Sequence, residues 1–98
     1  MLTSQGILDA VRAQRPALRR LGVRRLGLFG SAARGAATDA SDLDFLVELE
    51  HKTFDAYMEV KELLEGLFQR RVDLVIAEAV KPQLRDRILR ETVYAEGL

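Results

Sequence analysis

The sequence predicts an α/β fold, with a small mixed β-sheet flanked by helices. Three short apolar segments have strand character, and helical spacing of apolar residues precedes, separates and follows them. Strands that alternate with helices are typical of this class. The chain has no internal repeat, linker or low-complexity segment. At 98 residues it suffices for one modest core, so we expect a single domain over residues 1–98.

The first quarter of the chain predicts two helices and a strand. Residues 1–14 have helical apolar spacing, with a Thr-Ser pair near the start to provide the cap. Pro16 ends this helix and suits the first turn of a short second helix at 17–21, which Gly22 closes. The apolar residues that follow predict a strand over 23–29.

The middle of the chain predicts a helix over 31–36, a loop over 38–41 and a second strand over 42–50. Thr53 caps the longest helix, and a third strand covers 72–76. The helix between them has a predicted core stripe, which consists of Phe54, Tyr57, Met58, Leu64, Leu67 and Phe68.

The last segment predicts one more helix and an extended tail. Pro82 opens the helix, and Leu84, Ile88 and Leu89 are expected to face the core. Residues 93–95 are expected to be extended.

Composition excludes several classes of function. Fifteen basic and fifteen acidic residues cancel, so no global field draws the chain to nucleic acid or to an anionic membrane. The absence of Cys excludes disulfides and thiolate chemistry. No apolar run reaches membrane-spanning length and the start lacks a signal peptide, so we expect a cytoplasmic location. A basic cluster without interleaved aromatic residues predicts a polar face or partner surface, and it consists of Arg12, Arg15, Arg19, Arg20, Arg24 and Arg25.

Residues 28–46 hold the features that point to chemistry, and they read LFGSAARGAATDASDLDFL. Gly30 ends a buried strand, where it permits a sharp turn and lets a phosphate approach the backbone amides. Ser31 lies at or near the N-cap of the short helix that follows, whose free N–H groups and positive dipole end favour an anion. These two residues, here called the Gly-Ser turn, therefore predict a phosphate site.

Two carboxylates follow the Gly-Ser turn at the spacing of one strand face. Because side chains alternate across a strand, Asp42 and Asp44 are expected on one face, with Leu43 and Phe45 buried on the other. Carboxylates held this close repel each other unless a cation lies between them. A pair of hard divalent ions with oxygen ligands is the natural occupant.

Asp73 is a third acid, in the middle of the apolar strand 72–76. A buried carboxylate without a partner is costly, so we expect a cation or hydrogen bonds there. Asp42, Asp44 and Asp73, here called the acidic trio, suit two metal ions. The alternative for Asp73 is an ion pair with Arg71, two residues away on the same strand face, which leaves the other two acids unexplained.

The chain resembles the DNA polymerase β-like nucleotidyltransferase superfamily, whose Gly-Ser and Asp-x-Asp signature matches Gly30-Ser31 and residues 41–44. The Gly-Ser-x-Ala-Arg-Gly form at 30–35, the short chain and the late Asp73 are most similar to the minimal nucleotidyltransferase (MNT) antitoxins. The resemblance covers nearly the whole chain. It implies the minimal polymerase β-like nucleotidyltransferase fold.

The resemblance also implies roles for the site residues. The acidic trio would hold two Mg²⁺ ions, with Asp73 also helping to deprotonate the attacking hydroxyl. The Gly-Ser turn would hold the β- and γ-phosphates of ATP, which is attacked in line at the α-phosphorus. Arg34 has two interpretations: it neutralises charge developing on the phosphates, or it is a solvated residue on the helix surface.

The chain is too short for a separate acceptor-binding domain, so the acceptor is expected on another protein. In the MNT family the partner is a HEPN-domain toxin whose tyrosine hydroxyl is modified. The resemblance thus implies that this chain is the antitoxin of a hetero-oligomeric pair. Two alternatives remain open: a non-catalytic antitoxin that neutralises its partner by binding, and a nucleotidyltransferase subunit that acts on a small molecule or an RNA end.

The remaining polar and aromatic candidates have structural interpretations. His51 is the single histidine and is expected to be solvated, because a transition-metal site needs further ligands. Tyr57 is expected to pack in the core, and Tyr94 either packs or contacts a partner.

Overall fold

Four strands and five α-helices make up the part of the chain that the computed structural model describes, residues 3–38 and 40–98. The elements in chain order are α1 (Ser4–Ala13), α2 (Arg15–Arg20), β1 (Val23–Phe29), α3 (Gly30–Ala33), β2 (Leu43–Leu49), α4 (Phe54–Phe68), β3 (Val72–Ile76), a 3₁₀ turn (Ala77–Ala79), α5 (Pro82–Glu91) and β4 (Val93–Tyr94). The predicted start of the first helix at Met1 and the loop position of Asp39 fall outside the described residues.

The strands form one mixed sheet in the order β3-β2-β1-β4. β1 pairs antiparallel with both β2 and β4, and β2 pairs parallel with β3. A parallel pair needs a long crossover, which α4 supplies between β2 and β3. The predicted α/β class with a small mixed sheet flanked by helices is confirmed.

One face of the sheet carries the hydrophobic core. In the register of β1 and β2, Leu26 lies beside Val47 and Leu28 beside Phe45, and all four are buried. Buried residues of α1, α2 and α4 belong to the same cluster. Phe45 also stacks on Phe68 of α4, with 5.9 Å between ring centroids. The functional residues lie on the opposite face of the sheet, away from these three helices.

At the β4 edge, side chains from the end of α5 and from β4 lie over this opposite face. Gly27 of β1 lies there, where a Cβ would collide with the Thr92 side chain and come within 3.0 Å of the Tyr94 ring. The side chain of Arg25 lies over the same ring, 3.7 Å from its centroid. A residue without a side chain is thus required for the C-terminal segment to approach the sheet.

The core stripe of α4 differs from the prediction. Phe54 is 76% exposed, and the fully buried residues of the helix are Val60 and Leu64. Phe54 is the first residue after the Thr53 cap, so it precedes the part of the helix that packs on the sheet. Its assignment to the core was therefore wrong, whereas Tyr57 packs against the core as expected.

Helix α5 also departs from its predicted packing. Leu84 and Leu89 are 45% and 42% exposed, Ile88 is half-buried, and none of the described residues of α5 is fully buried. The prediction that Leu84 and Leu89 face the core was wrong.

None of the helices in the described residues is long and apolar enough to cross a membrane.

Tyr57 joins α4 to β3 through a hydrogen bond that its hydroxyl donates to the Leu74 carbonyl, at 2.7 Å. Tyr57→Phe keeps the ring and removes this bond, so we expect the free energy of unfolding to fall by about 1 kcal/mol. Urea denaturation of the two proteins measures this difference. An unchanged midpoint would contradict the role of this bond.

Candidate active site

The candidate site lies where β1 ends and β2 begins, on the face of the sheet opposite the core. In the sheet register, Asp44 is the partner of Phe29 on one side and of Asp73 on the other. The backbone leaves β1 at Gly30, directly beside Asp44. The fold thus brings together the Gly-Ser turn and two members of the acidic trio, which are distant in sequence.

Gly30 has a backbone conformation and a contact that both require glycine. Its φ is +71°, in the left-handed region that other residues rarely adopt. A Cβ at this position would collide with Oδ2 of Asp44 and lie 3.1 Å from its Cγ. The turn therefore places the backbone directly against the Asp44 carboxylate.

Ser31 lies near the start of a helix that is shorter than predicted. Helix α3 has four residues, Phe29 occupies its N-cap position, and Ser31 is its second residue. The helix ends where the Gly35 N–H bonds to the Ala32 carbonyl. Ser31 is thus near the N-cap, and the predicted helical extension through residue 36 was wrong.

Asp44 is half-buried at the centre of the acidic trio. Burial raises the pKa of the Asp44 carboxyl above its ordinary value, and the neighbouring charges of Asp73 and Asp42 raise it further. Arg34 acts in the opposite sense and lowers this pKa. The carboxylate of Asp44 is therefore under the electrostatic influence of two other acids and one cation at this end of the sheet.

The other two acids are more exposed than the sequence suggested. Asp42 precedes β2, which begins at Leu43, and its side chain is exposed. Asp73 is exposed as well, because β3 is an edge strand of the sheet and its site face is uncovered at this point. The expectation of a buried Asp73 carboxylate was wrong. In the described residues, no ion pair joins Asp73 to Arg71, so the structure does not support that alternative.

The donor set of the site is suited to a hard cation, but the side chains are not arranged around one. Carboxylate oxygens are the ligands that Mg²⁺ prefers. Within residues 3–38 and 40–98, no three His, Cys, Asp or Glu side chains are placed to hold a metal ion together. The carboxylate groups of the acidic trio thus suit a divalent cation, whereas the three side chains are not positioned around a common metal site.

The loop that leads to Asp42 is held from the far end of α4. Ser41 caps the loop, since its hydroxyl accepts a hydrogen bond from the Thr38 N–H at 3.0 Å. Arg70 donates from Nη1 to the carbonyls of Thr38 and Ser41, at 3.0 and 3.4 Å. The sequence analysis did not identify this role of Arg70, because 32 residues separate it from Thr38.

A cavity of about 430 Å³ opens between α3 and α5. It is lined by Phe29, Gly30, Ser31, Arg34, Asp44, Leu84, Arg87, Ile88 and Glu91. The predicted phosphate-site residues and Asp44 therefore face one space, while Asp42 and Asp73 are not among its lining residues. The four residues from α5 were not predicted, because sequence alone does not place this helix over the sheet face that carries Asp44.

Arg34 is exposed, but it also has a charged neighbour at the site. Its Nη1 lies 3.6 Å from Oε2 of Glu91, and its side chain lines the cavity. His51 is exposed, as predicted. Tyr94 pairs with Gly27 in the sheet and contacts Arg25, so it contributes to packing.

Residues 11–95 match the family model of the nucleotidyltransferase domain. A relative from Thermococcus cleftensis, protein adenylyltransferase MntA, is 42% identical over 96 residues, which cover 96% of this chain and 97% of the relative.

Solved structures agree with this match. A structure provisionally described as a minimal nucleotidyltransferase has a TM-score of 0.73 and 42% identity, covering 88% of this chain and 93% of that one. A chain from the complex of a tri-AMPylated Shewanella oneidensis HEPN toxin with its MNT antitoxin has a TM-score of 0.68 at 19% identity, covering 98% and 74%. The second likeness concerns the fold alone.

Proposed function

The chain belongs to the nucleotidyltransferase domain family, in its minimal form, and on this basis we propose that it transfers AMP from ATP to a hydroxyl of a partner protein. The partner is a HEPN-domain toxin, the acceptor is a tyrosine hydroxyl, and this chain is the antitoxin of the pair. Residues 1–98 act as a single nucleotidyltransferase domain.

The position of Asp44 is the observation that carries the proposal. Asp44 lies beside the Gly30 backbone, pairs with Asp73 across the sheet, and faces the cavity that also contains Ser31 and Arg34. A carboxylate with a raised pKa between a phosphate-type turn and a second acid is suited to a metal-bound triphosphate. No purely structural role explains why like charges are placed together here.

The acidic trio would hold Mg²⁺, with two ions as the expected number. When bound, the ions polarise the acceptor oxygen and offset the negative charge of the triphosphate. The positive charge of the ions would also offset the repulsion that Asp73 and Asp42 exert on Asp44. This repulsion contributes to the raised pKa of Asp44.

The residues of this chain bind and orient the reactants. The Gly-Ser turn binds the β- and γ-phosphates, and Arg34 neutralises charge on the departing pyrophosphate. Asp73 accepts the proton of the tyrosine hydroxyl while the tyrosine oxygen forms a bond to the α-phosphorus. The bond from the α-phosphorus to the bridging oxygen breaks, and pyrophosphate leaves with that oxygen. The exposure of Asp73 suits this role, since the acceptor must reach it from outside.

Two similar proteins support the choice of donor and partner. The Thermococcus cleftensis relative is named a protein adenylyltransferase. The Shewanella oneidensis complex contains an AMPylated HEPN toxin with an MNT antitoxin. By analogy this chain forms a hetero-oligomer with a HEPN toxin, and a cytoplasmic location is part of the proposal.

Intact-mass spectrometry of the HEPN protein encoded beside this chain tests the proposal. The HEPN protein is incubated with this chain, ATP and Mg²⁺, and we expect its mass to rise by one or more AMP units. A stable complex without any mass gain would instead indicate neutralisation by binding. Transfer to a small molecule or an RNA end without the partner would indicate a different acceptor.

Arg70 is expected to position Asp42 for this reaction. Arg70→Met removes the guanidinium that holds the carbonyls of Thr38 and Ser41. We expect about a tenfold loss of transfer at low Mg²⁺, because a loosened loop weakens the acidic trio as a metal site. The loss should shrink as Mg²⁺ is raised, and Arg70→Lys should restore part of the activity. A defect that is independent of Mg²⁺ would contradict a positioning role.

A further inference from the structure

Helix α5 forms the wall of the cavity opposite the Gly-Ser turn, and it contributes both a cation and an anion to the site. Arg87 and Glu91, one helical turn apart, line the cavity together with Arg34. Glu91 contacts both cations: its Oε2 lies 3.6 Å from Nη1 of Arg34, and its Oε1 lies 3.5 Å from Nε of Arg87. The Glu91 carboxylate therefore lies between the guanidinium of Arg34, at the end of α3, and the guanidinium of Arg87, in α5.

These ion pairs are loose and exchangeable. Charge-assisted hydrogen bonds have lengths of about 2.7–2.9 Å, and both contacts here are longer. The side chains of Arg34 and Arg87 are 56% and 73% exposed, whereas that of Glu91 is 27% exposed. Ion pairs between exposed groups contribute little to stability, so a stronger anion can replace the carboxylate at small cost.

We propose that Arg87 is a second cation for the polyphosphate of the nucleotide, and that Glu91 holds Arg34 and Arg87 in place until the polyphosphate displaces it. This inference rests on the proposed function, since it concerns the same nucleotide. The ligand class is a nucleoside triphosphate with at least its β- and γ-phosphates.

The charges in the cavity carry the inference. A triphosphate offers several anionic oxygens, and planar guanidinium groups bind such oxygens in a bidentate manner. Asp44 already faces the same cavity with a negative charge, so Glu91 would repel an incoming triphosphate if it stayed between the two cations. Exchange of the carboxylate for phosphate oxygens removes this repulsion and keeps both guanidinium groups paired.

The end of α5 is anchored, which keeps Arg87 and Glu91 close to the site. The Thr92 hydroxyl donates a hydrogen bond to the Ile88 carbonyl at 2.6 Å. Thr92 also packs where Gly27 leaves room, and Val93–Tyr94 pairs with β1. Arg87 is thus presented from a helix whose last turn is tied to the sheet.

The test is the affinity of the purified protein for Mg²⁺·AMP-PNP and for adenosine, measured by isothermal titration calorimetry. Arg87→Gln removes the charge, and we expect its Kd for AMP-PNP to rise about five- to tenfold with no change for adenosine, which lacks phosphates. Arg85→Gln is the matched control, because a separation of two residues points to the other side of the helix from Arg87. Glu91→Gln should lower the Kd for AMP-PNP severalfold.

The outcomes separate this inference from the proposed function. If wild type binds AMP-PNP but Arg87→Gln and Arg85→Gln have equal affinities, Arg87 does not contact the polyphosphate and the inference fails alone. Weaker binding by Glu91→Gln would show that the carboxylate organises the bound state rather than leaving it, which also overturns the inference. Failure of wild type to bind the nucleotide would overturn both. Thermal melts of each variant identify any that are unfolded.

Discussion

Asp44→Asn is expected to reduce AMP transfer by at least about a thousandfold while the protein remains folded. The substitution keeps the size of the side chain and removes a negative charge that the proposed metal site requires. Asp44 lies at the centre of the site, between the Gly30 backbone and Asp73, so no neighbouring acid can take its place. The mass of the partner after incubation with ATP and Mg²⁺ measures the loss.

The same substitution is expected to stabilise the fold at neutral pH. Because burial and the charges of Asp73 and Asp42 raise the pKa of Asp44, the folded protein binds this proton more tightly than the unfolded chain does. The stability linked to this group is complete below its unfolded pKa and is lost as pH rises through the raised folded pKa. Asp44→Asn cannot ionise, so its melting temperature should exceed that of wild type at pH 7, with a smaller difference in acid.

Glu48→Gln is the control for Asp44→Asn. Glu48 lies on the same strand, four residues along and half-buried, and it pairs with Arg25 at 3.3 Å rather than with the site. The Glu48→Gln variant should therefore retain AMP transfer. Full transfer by Asp44→Asn, or equal losses in the two variants, would contradict the assignment of the acidic trio.

Gly30→Ala has the second large expected effect, on both stability and transfer. The left-handed conformation at φ +71° costs about 1–2 kcal/mol for a residue with a Cβ. The collision of that Cβ with the Asp44 carboxylate adds about 1–3 kcal/mol, as expected for overpacking. We therefore expect a loss of about 2–5 kcal/mol in the free energy of unfolding and a displaced Asp44 that supports little transfer.

Gly35→Ala separates these two costs. Gly35 has nearly the same φ, +73°, but nothing lies within 4 Å of a Cβ built on it. It should lose only the conformational part, about 1–2 kcal/mol, and keep most of its activity. Chemical denaturation and transfer assays of both variants measure the difference. Equal effects of the two substitutions would contradict a close approach of Gly30 to Asp44.

The local pattern of the sequence was sufficient to predict much of the fold. The strands at Val23–Phe29 and Val72–Ile76 have the predicted bounds, because short apolar runs with clear boundaries indicate buried strands. Thr53 acts as a helix cap, as predicted, and of the two candidates for the first helix, Thr3 and Ser4, Thr3 is the cap. Each of the two threonines accepts a hydrogen bond from the N–H three residues on. The resemblance on the Gly-Ser turn and the acidic trio predicted the family to which the chain belongs.

The features that sequence reasoning missed depend on tertiary placement. Asp73 seemed buried because its neighbours are apolar, but β3 is an edge strand and its site face is open there. The prediction that α5 packs into the core was wrong, because apolar residues at helical spacing do not show which part of the protein the helix packs against. Arg70 and Glu91 act on residues more than 28 positions away, a relation that no local pattern contains.

The most direct test of the proposed reaction is to supply the chain and its HEPN partner with ATP labelled at the α- or at the γ-phosphate. Attack at the α-phosphorus predicts that label from α-labelled ATP becomes attached to the partner and that γ-label leaves as pyrophosphate. This labelling should disappear with Asp44→Asn. Transfer of the γ-label to the partner would indicate phosphoryl transfer and contradict the account, as would α-labelling that persists in the variant.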